Sequence, residues 1–271
     1  MEPNHIYQYS LLNALMDGVS ETGITVSELL TKGNQGLGTF ARMNGELLFL
    51  DGKVYQLQAE GNVREAGEGD QRVALPLFLS ESLGRKPTVP GRSPWHIRDP
   101  WLTPSQIPFA VSTNFVPQQT RKVTLPFKAA LDSTLQTFAP HAKNLFLTYR
   151  ITGLFTHLKC RTVRGQTYAH QPLSELGASQ SVEEYHDIQG TIIGFRTPAN
   201  WQGFGVAGGH AHFIDEGRGV GGHVLELSAE GEEVEVGMAV VRDVHVELPG
   251  SEEFNEAELS TDDEGVKKVE G

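Results

Sequence analysis

The stretch Gly208-Gly209-His210-Ala211-His212-Phe213-Ile214, followed by Gly221-Gly222-His223-Val224-Leu225, decides how the second half of this chain folds. Side chains alternate between the two faces of a β-strand, so His210 and His212 point to the same side. Residues 215–219, Asp-Glu-Gly-Arg-Gly, have the composition of a turn, and a hairpin can return His223 to that side. Three imidazoles leave a coordination position free, as in catalytic zinc sites. The pattern predicts a metal site with zinc as the first choice, although imidazole also suits iron, copper and nickel.

The composition is that of a soluble globular protein and excludes some partners. The chain has 271 residues, of which 38% are hydrophobic and 21% charged, so it can bury a sizeable core. Its formal net charge of −12 would repel a phosphate backbone, and we expect no nucleic-acid partner. Seven acidic residues and no basic one lie within 251–264, a pattern typical of a solvated face or an acidic C-terminal tail.

The location of the protein is also an expectation from sequence. The N-terminus has no basic region followed by an apolar one, and no run of residues reaches the length of a membrane span. The single cysteine, Cys160, rules out an intrachain disulfide and fits a reducing compartment. We therefore expect a cytoplasmic protein with no membrane partner.

Hydrophobic spacing and turn residues predict short helices among many strands. Helices are expected near 10–17, over 25–30 with Thr25 or Ser27 as the cap, over 128–138 and over 173–184. Strands are expected around 38–40, over 46–57, from 109, over 145–155, 157–163 and 190–196, in the histidine hairpin and over 234–248. Tight turns are expected at Asn44-Gly45 and Asp51-Gly52.

These elements predict an α+β fold of two β-rich units with mixed sheets and a few short helices, which meet at a metal-lined cleft. The expected units are a mixed α/β domain, residues 1–145, and a β-rich metal-binding domain, residues 146–271. Five prolines and two glycines within 80–105 prevent regular structure there and predict a long surface loop. Trp95 and Trp101 are expected to pin that loop to the body of the protein.

Short motifs along the chain resemble those of the α-acetolactate decarboxylases and occur in the same order. They include Ile6-Tyr7-Gln8, Leu15-Met16-Asp17-Gly18-Val19, Gly36-Leu37-Gly38-Thr39-Phe40, Asn44-Gly45-Glu46-Leu47, Arg150-Ile151-Thr152-Gly153-Leu154-Phe155, Arg161-Thr162-Val163, Gly190-Thr191-Ile192-Ile193-Gly194-Phe195 and the histidine hairpin. The resemblance covers nearly the whole chain. The proline-rich segment looks like an insertion, and residues next to His210 and His212 are smaller than in the bacterial members.

The resemblance implies a zinc enzyme that converts 2-acetolactate into (R)-acetoin and carbon dioxide. It implies seven site residues: the zinc ligands His210, His212 and His223, and the catalytic residues Thr39, Glu46, Arg161 and Glu270. Of these, Glu270 corresponds to a glutamate near the C-terminus that reaches back to the site. Because relatives commonly pair through their sheets, a homodimer is expected.

The implied reaction explains why such residues are needed. Loss of carbon dioxide from 2-acetolactate leaves an electron pair that must be drained into the neighbouring ketone. A zinc ion chelated by the ketone and hydroxyl oxygens polarises the carbonyl and stabilises the enediolate, so no thiamine or pyridoxal cofactor is required. The forked guanidinium of Arg161 suits the departing carboxylate or the enediolate oxygen. Glu46 and Glu270 are both candidates to orient the hydroxyl and to return a proton to C2, and the sequence does not choose between them.

Two other functions compete with this one. His210, His212, Glu216 and His223 come close to the first motif of a cupin-type metalloenzyme, in which Glu216 would be a ligand and the metal iron or manganese. The second cupin motif is absent, so Glu216 is better interpreted as a turn residue. A family of DNA-associated modules resembles the second half of the chain, but the net negative charge and the N-terminal half argue against that interpretation.

Overall fold

The structure is a computed structural model that describes residues 1–59, 61–67, 106–177 and 180–259. The predicted loop at 80–105, with Trp95 and Trp101, lies outside the described residues, as does Glu270. The described helices are short: α1 (Leu12–Met16), α2 (Val26–Leu30), α3 (Lys128–Phe138), α4 (Leu173–Leu176) and α5 (Glu252–Glu256). None of them is long and apolar enough to cross a membrane.

Fourteen strands are described, and two of the sheets carry most of the fold. The strands are β1 (Ile6–Tyr9), β2 (Ile24–Thr25), β3 (Gln35–Thr39), β4 (Glu46–Leu50), β5 (Lys53–Leu57), β6 (Val63–Glu65), β7 (Gln106–Ile107), β8 (Phe109–Thr113), β9 (Gln119–Leu125), β10 (Phe146–Thr162), β11 (Ser181–Thr197), β12 (Gly208–Asp215), β13 (Gly221–Val241) and β14 (Val244–Glu247). The first sheet has the order β14-β1-β8-β3-β4-β5-β6 and is mixed, because β14 runs parallel to β1 and the other neighbours are antiparallel. The second sheet is antiparallel, with the order β10-β11-β12-β13-β9, and β10 also pairs with β13. Strands β2 and β7 form a separate pair.

The two large sheets pack against each other. The alternation of side chains along β4 shows which residues lie between them. Leu48 and Leu50 lie in the core between the sheets, whereas Leu47 and Phe49 pack on the opposite face with α2. Both faces of the strand are buried, which is why residues 47–50 are all apolar.

The same alternation places the histidines of β12. Ile214 lies in the core between the sheets, whereas Ala211 and Phe213 face the other way, into the core that α3 covers. Because His210 and His212 have the parity of Ile214, they project toward the first sheet. His210 and His212 therefore lie at the boundary between the two sheets.

The predicted fold class is confirmed: the chain is rich in strands, with few short helices and one mixed sheet. Helix α3 has the predicted bounds, and α2 begins at the predicted cap, where Thr25 and Glu28 form a capping box. The Asp51-Gly52 turn is also confirmed, since both residues have the positive φ that a two-residue hairpin of this kind requires. The division into two units at residue 145 stays a prediction. The two sheets exchange strands across that position: β9, which precedes it, joins the second sheet, and β14, which follows it, joins the first.

Three local predictions are wrong. The helix predicted over 173–184 ends at Leu176, and residues 181–184 begin β11, because pairing with β10 outweighs local helix propensity there. The two strands predicted at 145–155 and 157–163 are one strand, β10, whose register to β13 shifts between Thr152 and His157. Asn44-Gly45 does not form a two-residue hairpin turn; both residues end a longer link between β3 and β4, residues 40–45, which contains a short 3-10 helix, Ala41–Met43.

Candidate metal centre

The three histidines of the hairpin converge. His212 and His223 are directly paired across β12 and β13, and His210 lies two residues before His212 on the same face. One ring nitrogen from each lies within 4.8 Å of the others, and the ring centroids are 5.0–5.5 Å apart. The predicted convergence is confirmed, and the group could hold a metal ion.

Close approach of β13 to β10 brings His223 to this position. A Cβ on Gly222 would lie 2.7 Å from the carbonyl oxygen of Arg161, so only glycine allows this spacing. His223 is then paired directly with Arg161 across the two strands. Gly222, just before the third histidine, is therefore required sterically for the position of His223.

The ring of His212 is oriented by the first sheet. Its Nδ1 atom lies 2.7 Å from the carbonyl oxygen of Leu47. A carbonyl only accepts hydrogen bonds, so Nδ1 carries the proton and Nε2 presents its lone pair. A backbone carbonyl that fixes the tautomer of a histidine in this way is a common outer partner of metal ligands.

The surroundings keep His210 and His223 neutral, which is the form of imidazole that binds metals. Burial lowers the pKa of His210 to about 3, and the positive charges of Arg161 and Lys128 act in the same direction. Burial, followed by the charge of Arg161, also lowers the pKa of His223 well below its usual range. His212 and His223 are fully buried, whereas His210 keeps partial exposure at the side of the pocket.

A buried ion pair lies against the histidines. Arg161 on β10 is 3% exposed and Glu46, at the start of β4, is 7% exposed. Nη1 of Arg161 lies 3.4 Å from Oε1 of Glu46, and Oε2 of the same carboxylate lies 3.7 Å from Nε2 of His212. The carboxylate therefore connects the guanidinium on the second sheet to the histidine group.

Thr39 supports this arrangement from the neighbouring strand. It is paired with Glu46 across β3 and β4, and its hydroxyl donates a hydrogen bond of 2.8 Å to the carbonyl oxygen of Gly45. With its own hydrogen bond directed to the backbone, Thr39 fixes the chain just before the carboxylate.

A small pocket lies beside these groups. Its polar lining is Thr39, Glu46, Arg161 and His210, and the rest of its lining is Leu12, Leu15, Gly38, Met43, Phe109, Val163 and Leu173. The structure thus brings together six of the seven residues implied by sequence; the seventh, Glu270, is not described.

Sequence reasoning missed several contributors. The carbonyl of Leu47 carries no signal in the sequence, because any residue would supply it. Lys128 donates a hydrogen bond of 3.0 Å from Nζ to the carbonyl oxygen of Val224 and adds positive charge near the histidines. The apolar wall from α1, Leu12 and Leu15, has helical spacing that is equally typical of an ordinary core.

Comparison with known proteins places this site in a family. Residues 6–81 and 99–261 match the sequence model described as alpha-acetolactate decarboxylase. The chain belongs to this family. The gap in the match falls within the proline-rich segment, which fits the predicted insertion, and the match ends before Glu270.

Individual alpha-acetolactate decarboxylases support the assignment over the full length. The enzyme of Raoultella terrigena is 33% identical over 271 residues, which is 98% of this chain and 89% of that protein. The enzyme of Methanosarcina mazei is 34% identical over 269 residues, 98% of this chain and 80% of that one. The crystal structure of the alpha-acetolactate decarboxylase from Bacillus subtilis strain 168 superposes with a TM-score of 0.81 at 29% identity, covering 98% and 99% of the two chains.

The interpretation of Glu216 as a turn residue is confirmed. It is exposed, and the neighbouring Asp215 side chain accepts hydrogen bonds from the backbone N–H groups of Gly217, Gly219 and Val220. Among the described residues, the metal-binding group at this hairpin contains histidines alone. The cupin ligand set is therefore not formed, and the family match over both halves leaves no place for a module that resembles only the second half.

Proposed function

We propose that this protein is a zinc-dependent acetolactate decarboxylase that converts 2-acetolactate into (R)-acetoin and carbon dioxide. The observation that carries the proposal is the group of three imidazoles beside a buried guanidinium at a small pocket. Family membership indicates which reaction to expect, and the chemistry of the side chains at the pocket supports it.

The donor set fits a zinc ion. His210, His212 and His223 offer three nitrogen ligands. Burial keeps His210 and His223 neutral, and the Leu47 carbonyl fixes the tautomer of His212. Three protein ligands leave room for substrate oxygens. When bound, the metal supplies Lewis acidity that draws the electron pair left by carbon dioxide into the ketone of the substrate.

Arg161 is proposed to bind the substrate carboxylate. Its guanidinium is buried at the pocket wall, where low polarity strengthens its attraction for an anion. A fork of two N–H donors also fixes the plane of a carboxylate, so that the bond to C2 can be held in the orientation that favours its cleavage.

Glu46 is proposed to orient the C2 hydroxyl. One oxygen of its carboxylate faces Arg161 and the other faces His212, so a hydroxyl held between these groups is within reach of an acceptor. Glu46 and Glu270 are the two candidates to return a proton to C2. Delivery from one side only would give the single enantiomer (R)-acetoin, with Thr39 fixing the backbone beside Glu46.

Acetoin production by purified protein tests the proposal. We expect (R)-acetoin from 2-acetolactate, loss of the activity after chelation, and recovery with Zn²⁺. His212→Ala should lose the metal of the three-histidine site and the activity, since two imidazoles hold the ion much more weakly than three. His141→Ala, a change at an exposed histidine on the loop after α3, is the matched control and should behave like the unmodified protein. Activity that persists in the chelated protein or in His212→Ala would overturn the proposal.

A further inference from the structure

A second group of metal-binding side chains lies on the surface of the second sheet. His157 on β10 and His186 on β11 are paired directly across the two strands, with ring centroids 5.3 Å apart. Glu184 lies two residues before His186 and therefore on the same face, and its Oε2 atom is 3.9 Å from Nε2 of His157. One ligand atom from each of the three lies within 4.8 Å of the others.

We propose that His157, Glu184 and His186 form a second site, which binds a divalent transition-metal ion. Two imidazoles and one carboxylate suit Zn²⁺, Co²⁺, Ni²⁺ or Cu²⁺, whereas Mg²⁺ and Ca²⁺ prefer oxygen ligands throughout. The side chains of His157 and Glu184 are 29% and 51% exposed, so an ion reaches them directly from solvent. The proposal does not depend on the catalytic function, because none of these residues lines the pocket.

The neighbouring lysine shows how the site can admit an ion. Nζ of Lys159 lies 3.1 Å from Oε1 of Glu184 and 3.6 Å from Oε1 of Glu226, which is paired with Lys159 from the other side, on β13. A cation that takes Glu184 therefore leaves Lys159 with a second carboxylate. Exposed ion pairs of this kind contribute little, so the exchange is not costly.

The charge state of the carboxylate also favours a cation. Glu184 supplies a carboxylate, a side chain that ordinarily carries a negative charge at neutral pH. The histidines contribute neutral nitrogen donors once they are deprotonated.

The site has a practical consequence for the enzyme. His157 and Arg161 lie four residues apart on the same face of β10, so the surface group and the buried group are neighbours on one strand. Purified protein is then expected to carry up to two metal ions, and its total metal content does not by itself report on the buried site.

Zn²⁺ binding by chelator-treated full-length protein, measured by equilibrium dialysis with elemental analysis, tests the inference. We expect two equivalents for the unmodified protein, one for the double variant His157→Ala/His186→Ala, and one for His212→Ala. Glu184→Gln should weaken the surface site by at least about tenfold, since changes even to outer partners of metal ligands cost ~10–100-fold in affinity.

His5→Ala removes a histidine that lies near a carboxylate, 3.5 Å from Asp243, but outside both groups, and it should retain two equivalents. Circular dichroism checks that each variant is folded, and the surface variants alter only side chains that are partly or fully exposed. Two equivalents bound by the His157→Ala/His186→Ala protein, or none bound by a folded His212→Ala protein, would overturn the proposal. Because the readout is stoichiometry, failure here is distinguishable from failure of the proposed activity.

Discussion

Glu46 and Arg161 should be strongly coupled in the stability of the metal-free protein. The perturbations are Glu46→Gln, which keeps the shape of the side chain, Arg161→Met, which keeps much of its length, and the two changes together. Each single change leaves a buried charge without this counter-charge. The double change removes both charges, so it should destabilise the fold by much less than the sum of the single changes.

The expected magnitude follows from the distance and the burial. Coulomb's law for two unit charges at the observed 3.4 Å gives ~5 kcal/mol at an effective dielectric constant of about 20. Breaking a buried ion pair by removing one partner typically costs ~3–5 kcal/mol. The side chains are 3% and 9% exposed, so little screening by solvent is expected. We therefore predict a coupling free energy of about 3 kcal/mol or more.

The assay is urea unfolding of the four proteins in the presence of a chelator, which removes the contribution of bound metal. Lys53 and Glu65 provide the control cycle. Their charged atoms are closer, at 2.9 Å, but the side chains are 55% and 53% exposed. Burial should outweigh distance, so the control coupling should be several-fold smaller. Equal couplings in the two cycles would show that this ion pair is not shielded from solvent.

Three further predictions concern the site. Arg161→Lys should fold normally but turn over about 10- to 100-fold more slowly in an acetoin assay, because an ammonium loses a charged hydrogen bond worth ~1.5–3 kcal/mol; unchanged kinetics would place the residue outside the reaction. Deletion of residues 266–271 should lower turnover by ~10²-fold or more without a change in melting temperature if Glu270 delivers the proton, and an unaffected rate would exclude it. The metal-free protein should lose stability as the pH falls from about 6.5 toward 3. In the folded protein, burial lowers the pKa of His210 to about 3 and also lowers the pKa of His223. The unfolded chain therefore binds more protons than the folded protein in this pH window. Urea unfolding at several pH values checks the slope, and His210→Ala should flatten it.

The convergence of the three histidines was predictable from sequence because its geometry is local. Two residues on one strand share a face, and a short turn returns the third, so His210, His212 and His223 follow from the period of a strand and the composition of residues 215–219. Helix α3 was predictable for a similar reason, since its apolar residues Leu131, Leu135 and Phe138 recur at helical spacing.

Features that depend on distant partners were not predictable in this way. Residues 181–184 have a helical composition but join a 17-residue strand because β10 pairs with them. The contact of Glu46 with Arg161 spans 115 residues of sequence, and only the family resemblance indicated that both line one pocket. The role of the Leu47 carbonyl depends on how the two sheets pack, which no local pattern encodes.

Anomalous scattering at the zinc absorption edge, measured on crystals grown with an unreactive hydroxy-acid mimic of acetolactate, tests the central claim most directly. We expect an anomalous peak within bonding distance of nitrogen atoms of His210, His212 and His223, with the mimic on the open side of the ion and its carboxylate against Arg161. Imidazoles that point away from one another, or an ion enclosed with no face toward the pocket, would contradict it.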